Sequence, residues 1–198
     1  MLEVTRKRFT IDDYHRLGDL GFFAESDRLE LIRGEIIQMP NKKPPHSVAN
    51  SRLVKRLILM LGEQAIVRGQ EPVILPSDSE PLPDVAILKA RQNEYLDSHP
   101  YPQDIILLIE ISETTLKYDR ETKLSLYAED GIADYWIVNL VDNYLEVYSE
   151  PYQNQTGEFS YRSRRIFLPN ETVALPSFPD LLLDLSTIFP QSPDSIDS

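Results

Sequence analysis

Two acidic residues stand inside apolar runs that are typical of buried β-strands. Asp84 opens the run Asp-Val-Ala-Ile-Leu at residues 84–88, and Glu110 lies within Ile-Ile-Leu-Leu-Ile-Glu-Ile-Ser at residues 105–112. Both runs are short and rich in β-branched residues, which predicts strands that are about to be buried. A carboxylate buried in such a strand is costly unless a cation compensates its charge. Two such acids in neighbouring strands therefore indicate a shared cation, and Lys123 follows closely in the chain.

The length of 198 residues suits one domain with a core of ordinary size. We expect that domain to cover residues 1–189, followed by a disordered tail at residues 190–198, which is rich in Pro, Ser and Asp. No apolar run approaches the roughly 18 residues that cross a membrane. The first eight residues lack the apolar segment of a signal peptide. Cys is absent, which excludes disulfides and thiolate metal sites. These features predict a cytoplasmic protein that does not contact a membrane.

The net charge of −12 argues against a protein that is drawn to nucleic acid by its overall field. A local basic surface is still compatible with this charge. One segment without any acid carries five cations: Lys42, Lys43, Arg52, Lys55 and Arg56. Either these residues form a solvated helix face or they contact a nucleic-acid backbone. A second candidate for such contacts is the trio Arg162, Arg164 and Arg165.

The order of elements predicts an α/β (α+β) fold with a mixed central β-sheet flanked by helices. Helical patterns begin after the N-cap candidate Thr10, at His46–Leu61, within Leu116–Ala128 and within Phe178–Phe189. Strand patterns occupy residues 28–32 and 35–39, which form a hairpin around Arg33-Gly34, and residues 65–67, 72–75, 84–88, 105–112, 135–140, 143–148, 159–168 and 172–175.

The candidate chemistry is that of carboxylates and a lysine. The chain has no Gly-rich nucleotide fingerprint, no phosphate-cradling loop and no Gly-x-Ser-x-Gly elbow, and its three scattered His residues do not suggest zinc. Asp84 and Glu110 could hold one Mg²⁺ (or Mn²⁺), with the backbone carbonyl of Ile111 as a further ligand. Such a cation activates water and polarises a phosphodiester, while a nearby ammonium offsets charge on the phosphate. These groups suffice for phosphodiester hydrolysis.

An ordered set of motifs resembles the Uma-two family of restriction-endonuclease-like proteins, long catalogued as a domain of unknown function. The set comprises Pro83-Asp84, Glu110-x-Ser112, then Asp119, Lys123 and Tyr127 before Gly131–Trp136, together with Leu29–Ile36 and the helix start at His46. This family belongs to the PD-(D/E)XK nuclease superfamily, and the resemblance covers roughly residues 9–185. It implies a restriction-endonuclease-like core over residues 1–189 and a Mg²⁺-dependent endonuclease that acts on DNA. A homodimer is a further expectation, since nucleases that cut both strands often work as dimers.

The sequence departs from the superfamily pattern two residues after Glu110. The usual lysine of that position is replaced by Ser112. The resemblance implies that Lys123 has taken over its role from the following helix, with Ser112, Asp119 and Tyr127 in support. Asp119, Lys123 and Tyr127 are spaced to share one helical face. By the simpler interpretation Asp119 and Lys123 form an exposed ion pair, and Lys117 is a competing candidate for the catalytic lysine.

Two further residues have alternative interpretations. Superfamily members can add an acid from an early element to the metal shell, and Glu35 is the secondary candidate for this ligand. Without the resemblance, Glu35 and Glu30 are ordinary acids of a hairpin. The resemblance implies that His46 supports the site. Without the resemblance, His46 is a surface or packing residue, as is usual for a His in the first turn of a helix.

Three function classes follow. The first is the metal-dependent endonuclease, with Asp84, Glu110 and Lys123 as catalytic residues. The second is a non-cleaving nuclease-fold protein that binds nucleic acid or a protein partner, because a fold alone proves no activity. The third is a glycosidase-like carboxylate pair. The lack of an aromatic cluster around the two acids disfavours this last class, and sensitivity to EDTA separates it from the first.

Overall fold

The computed structural model describes residues 5–24 and 26–190, so the predicted tail lies outside the described residues apart from Pro190. The first half of the chain forms helix α1 (Ile11–Asp19), strands β1 (Leu29–Ile32) and β2 (Glu35–Gln38), helix α2 (Pro44–Leu61) and strands β3 (Ala65–Arg68) and β4 (Val85–Lys89). The second half forms β5 (Ile105–Ser112), α3 (Leu116–Tyr118), a π-helical turn (Asp119–Lys123), α4 (Leu124–Glu129), β6 (Asp134–Asn139), β7 (Tyr144–Gln153), β8 (Phe159–Phe167), β9 (Thr172–Leu175) and β10 (Phe178–Asp184).

Six strands form the central sheet in the order β3-β4-β5-β6-β7-β8. Strands β5 and β6 pair in parallel, with Glu110 opposite Ile137, and the other neighbours pair antiparallel. A parallel pair needs a crossover connection, which the helical segment between β5 and β6 supplies. The predicted mixed sheet is therefore confirmed.

Helices cover both faces of the sheet, as the two-sided apolar runs predict. Helix α2 buries Leu53 and Leu57 against one face, together with Ile109 of β5. Helix α4 buries Leu126 against the other face, together with Leu108 of β5. Burying one such leucine side chain is worth roughly 1.5–3 kcal/mol. Because side chains alternate along a strand, Glu110 shares the α4 face with Leu108.

The crossover segment is not a regular α-helix. Between α3 and α4 the chain widens into a π-helical turn, in which the amide of Leu124 donates to the carbonyl of Asp119, five residues earlier. Such turns are rare and often lie at functional sites. No helix among the described residues is long and apolar enough to span a lipid bilayer.

Two predicted elements are wrong. The segment at residues 178–189, predicted as a helix, begins with strand β10, which pairs antiparallel with β9. The exposed fraction is 57% for Leu182 and 1% for Leu183, an alternation that belongs to a strand. Residues 72–75 do not form the predicted strand, because the amides of Val73 and Ile74 donate to the carbonyls of loop residues 81 and 100.

The β1–β2 hairpin turns through two residues in the left-handed region, Arg33 (φ 48°) and Gly34 (φ 74°). Positive φ at both central residues defines the turn type that favours glycine in two-residue hairpins. The amide of Phe9 donates to the carbonyl of Gly34 at 2.9 Å, so the N-terminal segment is in contact with the turn. The sequence signal Arg33-Gly34 thus predicts the hairpin correctly.

Gly34→Ala should destabilise the fold more than a positive φ alone explains. An added Cβ would come within 2.8 Å of both the Arg8 Cβ and the Phe9 carbonyl oxygen. Gly131 has the same φ of 74°, but an added Cβ meets nothing within 4 Å. We expect Gly131→Ala to cost about 1 kcal/mol and Gly34→Ala about 1–3 kcal/mol more. Urea unfolding of both variants measures the difference; equal losses would contradict the close contact.

Candidate active site

A small cleft of about 40 Å³ opens where β4 begins and β5 ends. Asp84 directly precedes β4, and Val85 pairs with Ile109, so Asp84 and Glu110 face each other across neighbouring strands. Both acids are buried, and the amide of Asp84 donates to Glu110 Oε2 at 3.3 Å. The structure therefore brings together the two carboxylates that the sequence singles out.

Lys123 joins these acids from the π-helical turn. Its Nζ lies 2.8 Å from Glu110 Oε1 and 3.0 Å from Glu30 Oε1, and its side chain is only 1% exposed. Asp119 is also buried and accepts hydrogen bonds from the hydroxyls of Ser112 and Thr115, at 2.7 and 2.6 Å. The interpretation of Asp119 and Lys123 as an exposed ion pair is therefore wrong.

The competing lysine lies outside the cleft. Lys117 is 85% exposed and approaches Glu121 at 4.0 Å. An exposed pair of this kind contributes between nothing and about 1 kcal/mol. Of the two candidate lysines, Lys123 alone contacts the carboxylates of the cleft.

Tyr127 and Ser112 complete the surroundings of Glu110. The Tyr127 hydroxyl donates to Glu110 Oε1 at 2.8 Å. Ser112 lies two residues after Glu110 and so points to the same side of β5, where it reaches Asp119 rather than Glu110. Lys123 thus places its ammonium beside Glu110 from the helical side of the cleft.

Asp84 accepts hydrogen bonds at both carboxylate oxygens. Lys42 Nζ lies 2.6 Å from Oδ1, while His46 Nε2 and the amide of Ile111 each lie 2.9 Å from Oδ2. Burial by itself would raise the pKa of Asp84, but the hydrogen bonds and charges of His46 and Lys42 lower this pKa to about 2. Asp84 is therefore an anion at neutral pH.

Glu110 and Lys123 shift each other's ionisation. Burial raises the pKa of Glu110, against the opposing charge of Lys123, and the neighbouring acids Asp84, Asp119 and Glu30 add to the rise. Burial would lower the pKa of Lys123, but Glu110 and Glu30 raise it well above its ordinary value. Lys123 is consequently charged at neutral pH inside a desolvated site.

Glu30 is the site residue that the sequence reasoning missed. It is 3% exposed, its Oε1 accepts from Lys123 and from the amide of Leu82, and its Oε2 has no hydrogen-bond partner among the described residues. Glu35, the predicted early acid, is 43% exposed beside Arg8 at 3.2 Å and does not line the cleft. Glu30 stands in the apolar run Leu-Glu-Leu-Ile, and this is the same signal that identifies Asp84 and Glu110.

The donor set fits a hard divalent cation. Among residues 5–24 and 26–190, no group of three or more His, Cys, Asp or Glu side chains is arranged to hold a metal ion. Mg²⁺ needs fewer protein ligands, since it commonly takes one or two carboxylates and keeps waters. The cleft offers the oxygens of Asp84 and Glu110, and the unpartnered Oε2 of Glu30 is buried nearby.

The predicted basic segment does not form one surface. Lys42 binds Asp84, and Arg52 donates to the carbonyl of Phe189 at 3.0 Å. Lys43 lies at the rim of the cleft, 3.6 Å from Glu113, while Arg52, Lys55 and Arg56 together line a separate surface depression. Contact of these cations with nucleic acid stays a prediction.

The three arginines of β8 have partners within the protein. Arg164 lies 3.0 Å from the fully buried Glu146, which Arg120 also binds. Arg162 and Arg165 lie over the rings of Tyr152 and Phe167, with the guanidinium carbons 5.6 and 5.5 Å from the ring centres. Their contact with nucleic acid also stays a prediction.

Comparison with known proteins places this geometry in a family. A solved structure described as a putative nuclease belonging to DUF820, from Anabaena variabilis ATCC 29413, has the same fold, with a TM-score of 0.67 and 20% sequence identity. The match covers 91% of this chain and 97% of the other chain. No curated protein matches the sequence. The family model of Uma2, described as "Putative restriction endonuclease", matches residues 11–186, and the chain therefore belongs to the Uma2 family.

Proposed function

We propose that this Uma2 protein is a Mg²⁺-dependent endonuclease that hydrolyses phosphodiester bonds of DNA. The observation that carries the proposal is the buried Lys123 ammonium, 2.8 Å from Glu110, in the cleft that the carboxylate of Asp84 also lines. Burying an ammonium among carboxylates is costly, and perturbed ionisable groups in a cleft often mark a functional site. Membership of a family of restriction endonucleases supports the same conclusion.

Asp84 and Glu110 would hold the cation in this site. The backbone carbonyl of Ile111 is a further candidate ligand, because the N–H of the same residue points to Asp84 and both groups of a strand residue point to one side. When bound, the cation would polarise the phosphodiester and lower the pKa of a coordinated water. Glu30, rather than the predicted Glu35, would be the secondary candidate for a metal ligand from an early element.

Lys123 would offset the charge that builds on the phosphate or orient the attacking water. It is suited to this role because its desolvated charge interacts more strongly than it would in water. Glu30 and Glu110 fix the direction of its ammonium at 3.0 and 2.8 Å. Tyr127 holds the same oxygen of Glu110 and so limits its rotation.

His46 is a positioning residue for Asp84. It projects from α2 and, together with the Ile111 amide, fixes Oδ2 of the carboxylate at 2.9 Å. Both donors belong to regular elements of the core, and such elements hold a site more accurately than loops. The supporting role predicted for His46 rests on this contact.

The cleft is less suited to a sugar substrate. Its lining in the described part of the chain is mostly polar and charged and contains no Phe, Tyr or Trp ring on which a sugar could stack.

A cleavage assay tests the proposal. We expect nicking or cutting of plasmid DNA with Mg²⁺ or Mn²⁺, complete inhibition by EDTA, and recovery when the cation is restored. Linear duplex DNA, single-stranded DNA and RNA in the same assay identify the substrate. Cleavage that resists EDTA, or cleavage of RNA alone, would contradict the proposal.

A further inference from the structure

The two oxygens of Asp84 are held in different ways. Oδ2 accepts from His46 on α2 and from the amide of Ile111 in β5, both at 2.9 Å. Oδ1 accepts from Lys42 at 2.6 Å, and Lys42 lies in the loop between β2 and α2. The core of the protein therefore fixes one oxygen, while the other faces the cleft and is covered by a loop side chain.

Lys42 and Lys123 occupy the same acidic cleft but differ in freedom. Lys123 is 1% exposed and is held by Glu30 and Glu110. Lys42 is 17% exposed and has Asp84 as its ion-pair partner. A lysine side chain has four rotatable bonds and prefers a hydrated ammonium, so Lys42 can move its charge to the solvent from the mouth of the cleft.

A divalent cation and the Lys42 ammonium would compete for Oδ1. A cation bound to Asp84 and Glu110 must approach this oxygen to about 2.0–2.1 Å, which leaves no room for an ammonium at hydrogen-bond distance from the same oxygen. Two like charges a few Å apart in a partly buried site repel by several kcal/mol. Binding of the cation therefore requires Lys42 to leave.

We propose that Lys42 is a displaceable internal cation that occupies the cation-binding oxygen of Asp84 in the metal-free protein and lowers the affinity of the site for divalent cations. This inference rests on the proposed function, because it assumes that Asp84 binds a cation. Lys42 compensates the charge of the buried carboxylates until a divalent cation binds. The displaced ammonium of Lys42 then lies at the mouth of the cleft, where an anionic substrate would enter.

Titration calorimetry with Mn²⁺ or Mg²⁺ alone, without nucleic acid, tests the inference on the full chain. Lys42→Met should bind the cation about tenfold more tightly than the wild type, since the competing charge is gone. Lys43→Met is the matched control: it removes the same charge one residue away, from a side chain that is 59% exposed and 3.6 Å from Glu113. We expect less than a twofold change for this control.

Stability measurements give an independent readout. In EDTA, Lys42→Met should melt at a lower temperature than the wild type, because Asp84 loses a partner, and Mn²⁺ should raise its melting temperature more than that of the wild type. Lys42→Gln, which keeps a hydrogen-bond donor without the charge, replaces the methionine variant if that variant does not fold. It should also bind the cation more tightly than the wild type.

Several outcomes would overturn the inference. One is that the Lys42 variants bind the cation no more tightly than the wild type. Another is that Lys43→Met gains as much affinity as Lys42→Met. The third is that none of these proteins binds the cation. Tighter binding by the Lys42 variants supports it, even if only they bind measurably. A protein that shows this order of affinities yet cuts no nucleic acid would refute the proposed function while leaving the role of Lys42 intact.

Discussion

Lys123→Ala should destabilise the protein by about 3–5 kcal/mol, because it leaves two buried carboxylates without their cation. Those carboxylates are Glu30 and Glu110, which Lys123 contacts at 3.0 and 2.8 Å. An exposed Asp119–Lys123 pair would instead predict a loss well below about 1 kcal/mol. Unfolding by urea, monitored by circular dichroism, distinguishes the two values. Lys117→Ala, at an 85% exposed position, should change the unfolding free energy little.

A test of the catalytic role proposed for Lys123 requires a variant that keeps the fold. Combining Lys123→Met with Glu30→Gln removes one charge of each sign, so Glu110 remains the only uncompensated member of this trio. Turnover should fall about a hundredfold or more, as when one preorganised stabilising group is lost. Glu30→Gln alone measures the share of the loss that belongs to Glu30.

The outcome that would contradict the assignment is specific. If the folded double variant cut DNA at the wild-type rate while Lys117→Ala did not, the catalytic lysine would be Lys117. Lys123→Arg is a further check, because it keeps the positive charge but changes the shape of the donor. We expect Lys123→Arg to retain more stability than Lys123→Ala and to regain little activity.

Asp84→Asn should abolish binding of divalent cations and, with it, cleavage. An amide offers one neutral oxygen where the cation needs an anionic ligand. Calorimetry with Mn²⁺ measures the loss directly, and the DNA assay measures its consequence. Unchanged cation binding in a folded Asp84→Asn protein would remove Asp84 from the proposed metal site.

The same variant has a defined effect on stability. The pKa of Asp84 is lowered from 3.8 to about 2, so its ionised form stabilises the folded state. This contribution is fully present above the unfolded pKa and is lost as the pH falls through the folded pKa. Asp84→Asn should therefore cost about 2 kcal/mol at neutral pH, and the cost should shrink as the pH falls from about 4 towards 2. Asp180→Asn, at an exposed acid of β10, is the control and should change the unfolding free energy little.

The apolar runs alone were enough to predict the central sheet and the carboxylates within it. Asp84 opens a run that is buried on both sides and Glu110 lies within another, so their burial follows from local composition. Helix α2 follows from its repeating leucines, and the hairpin follows from Arg33-Gly34. The preference for Lys123 as the catalytic lysine came from the family resemblance, because its neighbouring residues by themselves suggested a surface lysine.

Other features depended on contacts that no local pattern encodes. The strand alternation of β10 is set by its pairing with β9 and by the core beneath it, so a leucine-rich stretch that resembled a helix became a strand. Glu30 and Glu35 are both hairpin acids in sequence. Glu30 belongs to the cleft because Lys123, 93 residues away in the chain, donates a hydrogen bond to its carboxylate.

Local composition was enough to predict that Asp84 and Glu110 are buried, because hydrophobic periodicity is a property of neighbouring residues. Which cation meets which acid depends instead on contacts between distant parts of the chain. Lys42 is 42 residues from Asp84, and Lys123 is 13 residues from Glu110. Since the energy of an ion pair depends on distance and burial in space, residues with similar local patterns, such as Lys117 and Lys123, can differ completely in role.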